Sequence, residues 1–355
     1  MQHTPPPTPG AYAASGVDID AGNRAKQLMA AAVRSTRRPE VLADFGGFGG
    51  LFALNPLGLR DPVLVTSMDG VGTKLKVAFA LGRHDTVGAD LVRHCVNDIL
   101  TCGARPLMFL DYLALNAVTP EDAAAVVAGV AVGCRENGCA LIGGETAQMP
   151  GFYPAGEYDL AGCIIGIVER GDIVSGQAMQ AGDVVIGLPA IGLHTNGYSL
   201  ARQLFANDDW SAVVPELEMS IGDVLLLPHP SYLAPVSRVL NDQALSGAVT
   251  GMAHITGGGL VENIPRVVPA GLGVDLDASN WDMLPIFRLI QARGNVPWDE
   301  MLRVFNLGIG YVLTVHAEQA DAALAHMADA GARRIGSVVP RADGACVRVE
   351  GLPDA

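Results

Sequence analysis

The chain has 355 residues, half of them hydrophobic and 17% charged, with 43 glycines and a net charge of −14. Such a composition is that of a folded chain with a large core, not a disordered one, and the negative balance argues against nucleic acid or an anionic membrane surface as a partner. At roughly 150 residues per domain, the length fits two domains.

The opening MQHTPPPTPG is proline-rich without an apolar signal core, so residues 1–15 are expected to form a flexible tail. The longest uncharged apolar run, near 123–134, is too short to span a bilayer, and a cytoplasmic location is expected. Residues 62–69, PVLVTSMD, form a β-rich run that stops at Asp69. TKLKVAFALG then reads as a short helix ending at Gly82. Residues 86–102 repeat Leu91, Val92, Cys95, Val96 and Ile99 at helical spacing, with Gly103 as a cap. A strand is expected at 106–115, an alanine-rich helix at 120–137 opened by Thr119 and Pro120, and strands at 139–145 and 160–169.

Near residue 170 the pattern restarts. A strand at 181–189 leads into a glycine-bearing loop and helix in GLHTNGYSLARQLF. A helix at 231–241 follows, then strand, glycine loop and helix across 250–268. A strand at 307–315, a helix at 317–331 and a strand at RIGSVV complete the chain. The alternation of strands and helices predicts an α/β architecture, with an N-terminal domain over 16–170 and a C-terminal domain over 171–355. The six cysteines (Cys95, Cys102, Cys134, Cys139, Cys163 and Cys346) form no C-x-x-C pair and sit mostly in apolar stretches. They read as buried free thiols rather than zinc ligands.

Residues 69–76, DGVGTKLK, hold phosphate-binding residue types in an order that no Walker loop uses, since the chain has no Gly-Lys dipeptide. Gly70 and Gly72 would let backbone N–H groups approach an anion, and Lys74, one of three lysines, would supply a point charge. A plain strand-to-helix turn explains the glycines equally well. Asp90, His94 and Asp98 share one helix face. Asp98 is the candidate magnesium ligand, and Asp90 and His94 are expected to be a solvated face. Asp69, Asp111 and Glu145 fall in or after strands, where ligands of α/β proteins gather, and together they suggest a magnesium–nucleotide site. Two polar glycine loops follow: His194, Thr195 and Asn196, with Asn196 a candidate helix N-cap, and His254, Thr256, Gly257, Gly258 and Gly259, then Asn263.

GVDIDAGN, DGVGTK, NDILTCGARP, GGETAQMPG, HTNGYSL and HITGGGLVENIPR occur in this order. With these motifs the chain resembles the phosphoribosylformylglycinamidine cyclo-ligase (AIR synthetase) family over about residues 12–350. Selenophosphate synthetases, hydrogenase-maturation proteins and thiamine-phosphate kinases share parts of the pattern. A selenophosphate synthetase would carry a reactive cysteine near the N-terminus, where the first here is Cys95; a hydrogenase-maturation protein would end in cysteine, where this sequence reads GLPDA; thiamine-phosphate kinases stay an alternative that fits the first and third motifs poorly.

The resemblance implies a two-domain AIR synthetase-like fold whose N-terminal domains pair strands across a homodimer. It implies ATP with Mg2+, and formylglycinamidine ribonucleotide as substrate. Asp69, Gly70, Gly72, Thr73, Lys74, Asp98 and Glu145 would then belong to the nucleotide site, with Asp69, Asp98, Asp111 and Glu145 toward the metal. Thr195, Asn196, Gly257, Gly258, Gly259 and Asn263 would line the substrate. Lys74, His194 and His254 would carry the chemistry, with one of the histidines moving the proton. Gln148 stands where the family commonly has glutamate and is not counted as a ligand.

Overall fold

The computed structural model describes residues 18–42, 50–54, 57–341 and 343–353. The expected tail and the first residues of the GVDIDAGN motif lie outside them. Two sheets organise the chain. The first has four strands, β1 (Pro62–Gly70), β2 (Arg105–Asn116), β3 (Ala140–Gln148) and β4 (Glu157–Glu169), in the order β1-β4-β2-β3. Only β2 and β3 run parallel; β4 is antiparallel to both of its neighbours. The sheet is therefore a mixed α+β layer with helices on one face, as expected for an α/β chain of the α+β type.

That face is covered by α1 (Ile19–Arg34), α2 (Leu75–Leu81), α3 (Val87–Leu100) and α4 (Pro120–Glu136). Helix α4 starts as the sequence implies: Thr119 accepts from Asp122 N–H and Pro120 occupies the first turn. Helices α3 and α4 approach closely because a Cβ at Gly88 would stand 2.2 Å from Val126 O. Along β1 the burial alternates, so Val65, Ser67 and Asp69 point to the helices while Leu64 and Met68 point away. The outer face is apolar and open: Leu64 is 53% exposed and Met68 69%, with Leu110 and Tyr112 beside them.

The second sheet has six strands: β5 (Val184–Pro189), β6 (Val249–His254), β7 (Leu272–Asp277), β8 (Ile309–Val315), β9 (Arg333–Pro340) and β10 (Val347–Glu350), in the order β10-β7-β9-β5-β8-β6. A single apolar cluster continues from Val71, Leu75 and Val96 of the first half to Tyr198, Leu225 and Phe305 of the second. The two sheets thus meet along a buried seam, and β6 delivers His254 to it. Among the described residues no helix is long and apolar enough to cross a membrane. All six cysteines are free, with Cys95, Cys134 and Cys139 buried.

Candidate active site at the seam between the sheets

Asp69 closes β1, and α3 presents His94 and Asp98 one turn apart. His94 Nε2 lies 2.8 Å from Asp69 Oδ2 and 4.0 Å from Asp98 Oδ2. Asp98 Oδ1 is 2.8 Å from His254 Nδ1, and Asp98 Oδ2 accepts from Ser67 Oγ at 2.8 Å. His94 Nδ1 meets Thr195 Oγ1 at 2.9 Å. Asp69, His94 and Asp98 each bring a ligand atom within 4.8 Å of the others. These groups line a cleft of about 310 Å³ with Thr101, Thr256 and Arg266.

Burial raises the carboxyl pKa of Asp69, but the hydrogen bond and charge of His94 outweigh it and the net shift is downward. Asp98 behaves alike, with His254 and His94 overriding burial. Burial also pushes the His94 imidazole down, yet the bond to Asp69 and the nearby carboxylates lift it above its usual value. Both acids are therefore ionised at neutral pH.

Asp90 and His94 are not a solvated face. The chain's second half packs over them, and both are buried. Asp90 Oδ2 pairs with Lys74 Nζ at 2.7 Å, and Asp90 Oδ1 accepts from His229 N–H at 2.8 Å. Lys74 itself is wholly buried, donates to Leu227 O at 2.7 Å, and lies over the Tyr198 ring. The expected phosphate contact by Lys74 is corrected by this geometry: its ammonium faces the core, away from the cleft.

The other expected site residues are placed as follows. Gly70 N–H turns back onto Asp69 Oδ1 at 2.6 Å, Gly72 takes φ +69°, and Thr73 Oγ1 lies 3.3 Å from Ser199 Oγ. Asp111 shares a row with Asp69, one on each side of Gly162, so about 10 Å of sheet separates their backbones. Burial pushes the Asp111 carboxyl up to about 7. Glu145, exposed and opposite Tyr112 on β3, lies on the far edge of the sheet from Asp69. Within one chain, neither Asp111 nor Glu145 joins the Asp69–Asp98 group. Gln148 Nε2 donates to Asp18 O at 2.6 Å.

The two glycine loops lie together: a Cβ at Gly257 would be 3.3 Å from Asn196 Oδ1. Gly258 and Gly259 take φ of +101° and +58°. Asn263 spends its amide on this loop, donating to Gly259 O at 2.8 Å. Asn196 is not the N-cap, a place held by Gly197, and its buried Nδ2 has no partner among the described residues. His194 sits at φ 62°, completely buried, stacked on His229 with ring centroids 4.1 Å apart. Burial, then the charges of His254, Lys74 and His94, hold its pKa well below the usual value.

Sequence reasoning passed over His229 and Arg266. His229 stands between Pro228 and Pro230, a rigid turn that could have marked it; Arg266 ends the HITGGGLVENIPR motif and lines the cleft.

The chain is a mixed α/β protein with two sheets and paired acids and histidines at their seam, and the profiles it matches are those of AIR synthase related proteins. Residues 57–168 match the family profile "AIR synthase related protein, N-terminal domain", and residues 180–348 match "AIR synthase related protein, C-terminal domain". The chain is 55% identical over 310 residues to a phosphoribosylformylglycinamidine cyclo-ligase of Desulfitobacterium hafniense (strain DSM 10664 / DCB-2), covering 87% of this chain and 90% of that one. It is 50% identical over 335 residues to the same-named protein of Gloeobacter violaceus (strain ATCC 29082 / PCC 7421), covering 93% and 98%. The chain belongs to the phosphoribosylformylglycinamidine cyclo-ligase family, the AIR synthetases of purine biosynthesis, and is a ligase.

Among solved structures, E. coli HypE, a hydrogenase maturation protein, superposes with a TM-score of 0.67 at 21% identity, covering 92% of this chain and 94% of that one. HypE in complex with ATP gives a TM-score of 0.64 at 19% identity, covering 93% and 91%. Both share the fold.

Proposed function

We propose that the chain uses ATP to cyclise formylglycinamidine ribonucleotide to aminoimidazole ribonucleotide. The γ-phosphoryl group of ATP passes to the formyl oxygen, giving an imidoyl phosphate and ADP. A substrate nitrogen attacks the activated carbon, the C–O bond breaks, phosphate leaves, and one proton is lost. Amide oxygen is a poor leaving group, so phosphorylation is the step that makes closure feasible, and the protein must position groups and neutralise charge.

The observation that carries this reading is the pair of ionised carboxylates, each 2.8 Å from a histidine, at one cleft. Each of their oxygens has one hydrogen bond and keeps a lone pair, so the donor set fits magnesium. Magnesium, when bound, would neutralise phosphate charge. Asp69 and Asp98 would hold it, and Ser67, His94 and His254 keep those carboxylates oriented. With Lys74 committed to Asp90, Arg266 is the cation lining the cleft and takes the phosphate role. Thr195, Asn196 and the loop at 257–259 face the substrate, with Asn263 as their brace. Neither ring nitrogen of His254 is free, so it acts through Asp98 as a positioning residue, and His194 supports it from behind.

A homodimer fits the exposed apolar face of the first sheet. Among the described residues its edge strands are β1 and β3; joining β1 to the β3 edge of a second copy would bring that copy's Glu145 toward Asp69. The domain division falls near residue 170, after β4, and the enzyme works in the cytoplasm.

Formation of aminoimidazole ribonucleotide, ADP and phosphate from ATP and formylglycinamidine ribonucleotide tests the reading. Turnover that needs this substrate supports it. ATP hydrolysis indifferent to the substrate overturns it.

A further inference from the structure

Two ends of the cleft are tied through one side chain. Asp69 closes β1 in the first half, and Thr195 sits on the loop ahead of the Tyr198–Leu204 helix in the second. His94 stands between them, its Nε2 2.8 Å from Asp69 Oδ2 and its Nδ1 2.9 Å from Thr195 Oγ1. Both ring nitrogens are therefore engaged, one with each half.

The ring has no room to swing aside. His94 is 4% exposed, and the rings of His229 and His254 stand edge-on to it with centroids 5.3 and 4.9 Å away. A side chain packed in this way passes a displacement on instead of absorbing it. Other ties across the seam end elsewhere. Asp98 reaches His254, whose other nitrogen faces His229, while Lys74 and Asp90 reach main chain at 227 and 229. Thr73 and Ser199 touch at 3.3 Å, but at an exposed place. Among the described residues, His94 alone joins an acid of the cleft to a side chain of the 194–197 loop.

We propose that His94 is a positioning residue that couples the two binding poles of the cleft, so that nucleotide with its metal and the ribonucleotide substrate tighten each other's binding. This rests on the function proposed above. The cause is ordering. The 194–197 loop opens on a strained residue, His194 at φ 62°, and holding it in one conformation costs conformational freedom. An occupant of the acid pair fixes Asp69, Asp69 fixes the His94 ring, and the ring fixes Thr195. Substrate then meets a loop already ordered and binds at a smaller entropic cost. Linkage makes the effect reciprocal: substrate tightens nucleotide by the same factor.

Calorimetric titration of the full chain with formylglycinamidine ribonucleotide, with and without Mg2+ and a non-hydrolysable ATP analogue, tests the link. The unaltered protein should bind substrate at least about fivefold more tightly when the analogue is present, the scale at which coupling between sites begins. His94→Leu and Thr195→Val should each bring that factor below about twofold, and Thr195→Ser, which keeps the hydroxyl, should retain it. The factor is a ratio, so a loss of affinity common to both titrations, as a purely structural defect gives, does not move it. An analogue that does not tighten substrate binding in the unaltered protein overturns the proposal. So does a factor that survives in folded His94→Leu or in Thr195→Val, or one that is lost in Thr195→Ser. The two Thr195 variants probe the same bond from the loop end, even where His94→Leu fails to fold. Substrate that binds under neither condition overturns the function as well; binding without the factor overturns this link alone.

Discussion

Lys74 Nζ and Asp90 Oδ2 meet at 2.7 Å with both side chains fully buried, and each also binds the 227–229 segment of the second half. The pair is a lock between halves rather than part of the cleft. Asp90→Asn strands a buried ammonium and should destabilise the chain by about 3–5 kcal/mol in urea unfolding, whereas Lys74→Met with Asp90→Leu should cost less. A folded Lys74→Met chain of unchanged stability but lost turnover would return Lys74 to the phosphates.

Asp98→Asn should lower aminoimidazole ribonucleotide formation at least about 100-fold, the scale of losing an electrostatic contact to transferring phosphoryl groups. Its unfolding midpoint should fall only a few degrees, because Ser67 and His254 lose one charged partner. Near-normal turnover would remove Asp98 from the site.

His254→Ala and His194→Ala separate by readout. His254→Ala should lower turnover, because Asp98 loses its brace. His194→Ala should act chiefly through stability, since His194 stacks on His229 in the core and reaches no cleft surface. Turnover and thermal unfolding measured on both variants check this. Unaltered turnover in both would end any role for either in the reaction.

Asp111 sets a pH signature. Its carboxyl is pushed up to about 7 by burial, against an unfolded value of about 3.9. Between those values the native chain holds a proton that the unfolded chain has released, so stability falls as pH rises through this window. Asp111→Asn should flatten that slope and stabilise the chain at pH 8 by on the order of 2 kcal/mol, read from urea unfolding at pH 5 and pH 8. Asp98 works with the opposite sign: its lowered pKa gives stability that is present above the unfolded value and lost as pH falls through the folded one.

Much of the first sheet was legible. The apolar run ending at Asp69, the helical period around Val92 and Ile99, and the Thr119–Pro120 start all reflect local patterns that packing reinforces. The helices Ile19–Arg34, Pro285–Gly294 and Trp298–Val304 and the strands Leu272–Asp277 and Val347–Glu350 were not read. Among these, the short helices and strands carry too few turns or alternations to stand out.

Asp69 stood out at the end of its β-rich run, Asp98 by helical spacing and His254 in its glycine loop, and the structure brings these three candidates to one cleft. Lys74 and Asp90 were misread because their partners, Leu227 and His229, lie more than a hundred residues away, and no local period announces a seam. His229 was passed over for the same reason.

Asn97 holds Pro230 O and Tyr232 N–H while standing beside Asp98 on the same helix. The halves are therefore coupled through the backbone of one turn. A chimera joined near residue 170 from two relatives keeps these contacts only if its 227–232 turn follows the same course, because what that turn offers Lys74, Asp90 and Asn97 is main chain. The course of that turn, more than the identity of its side chains, is what ties the second half to α3.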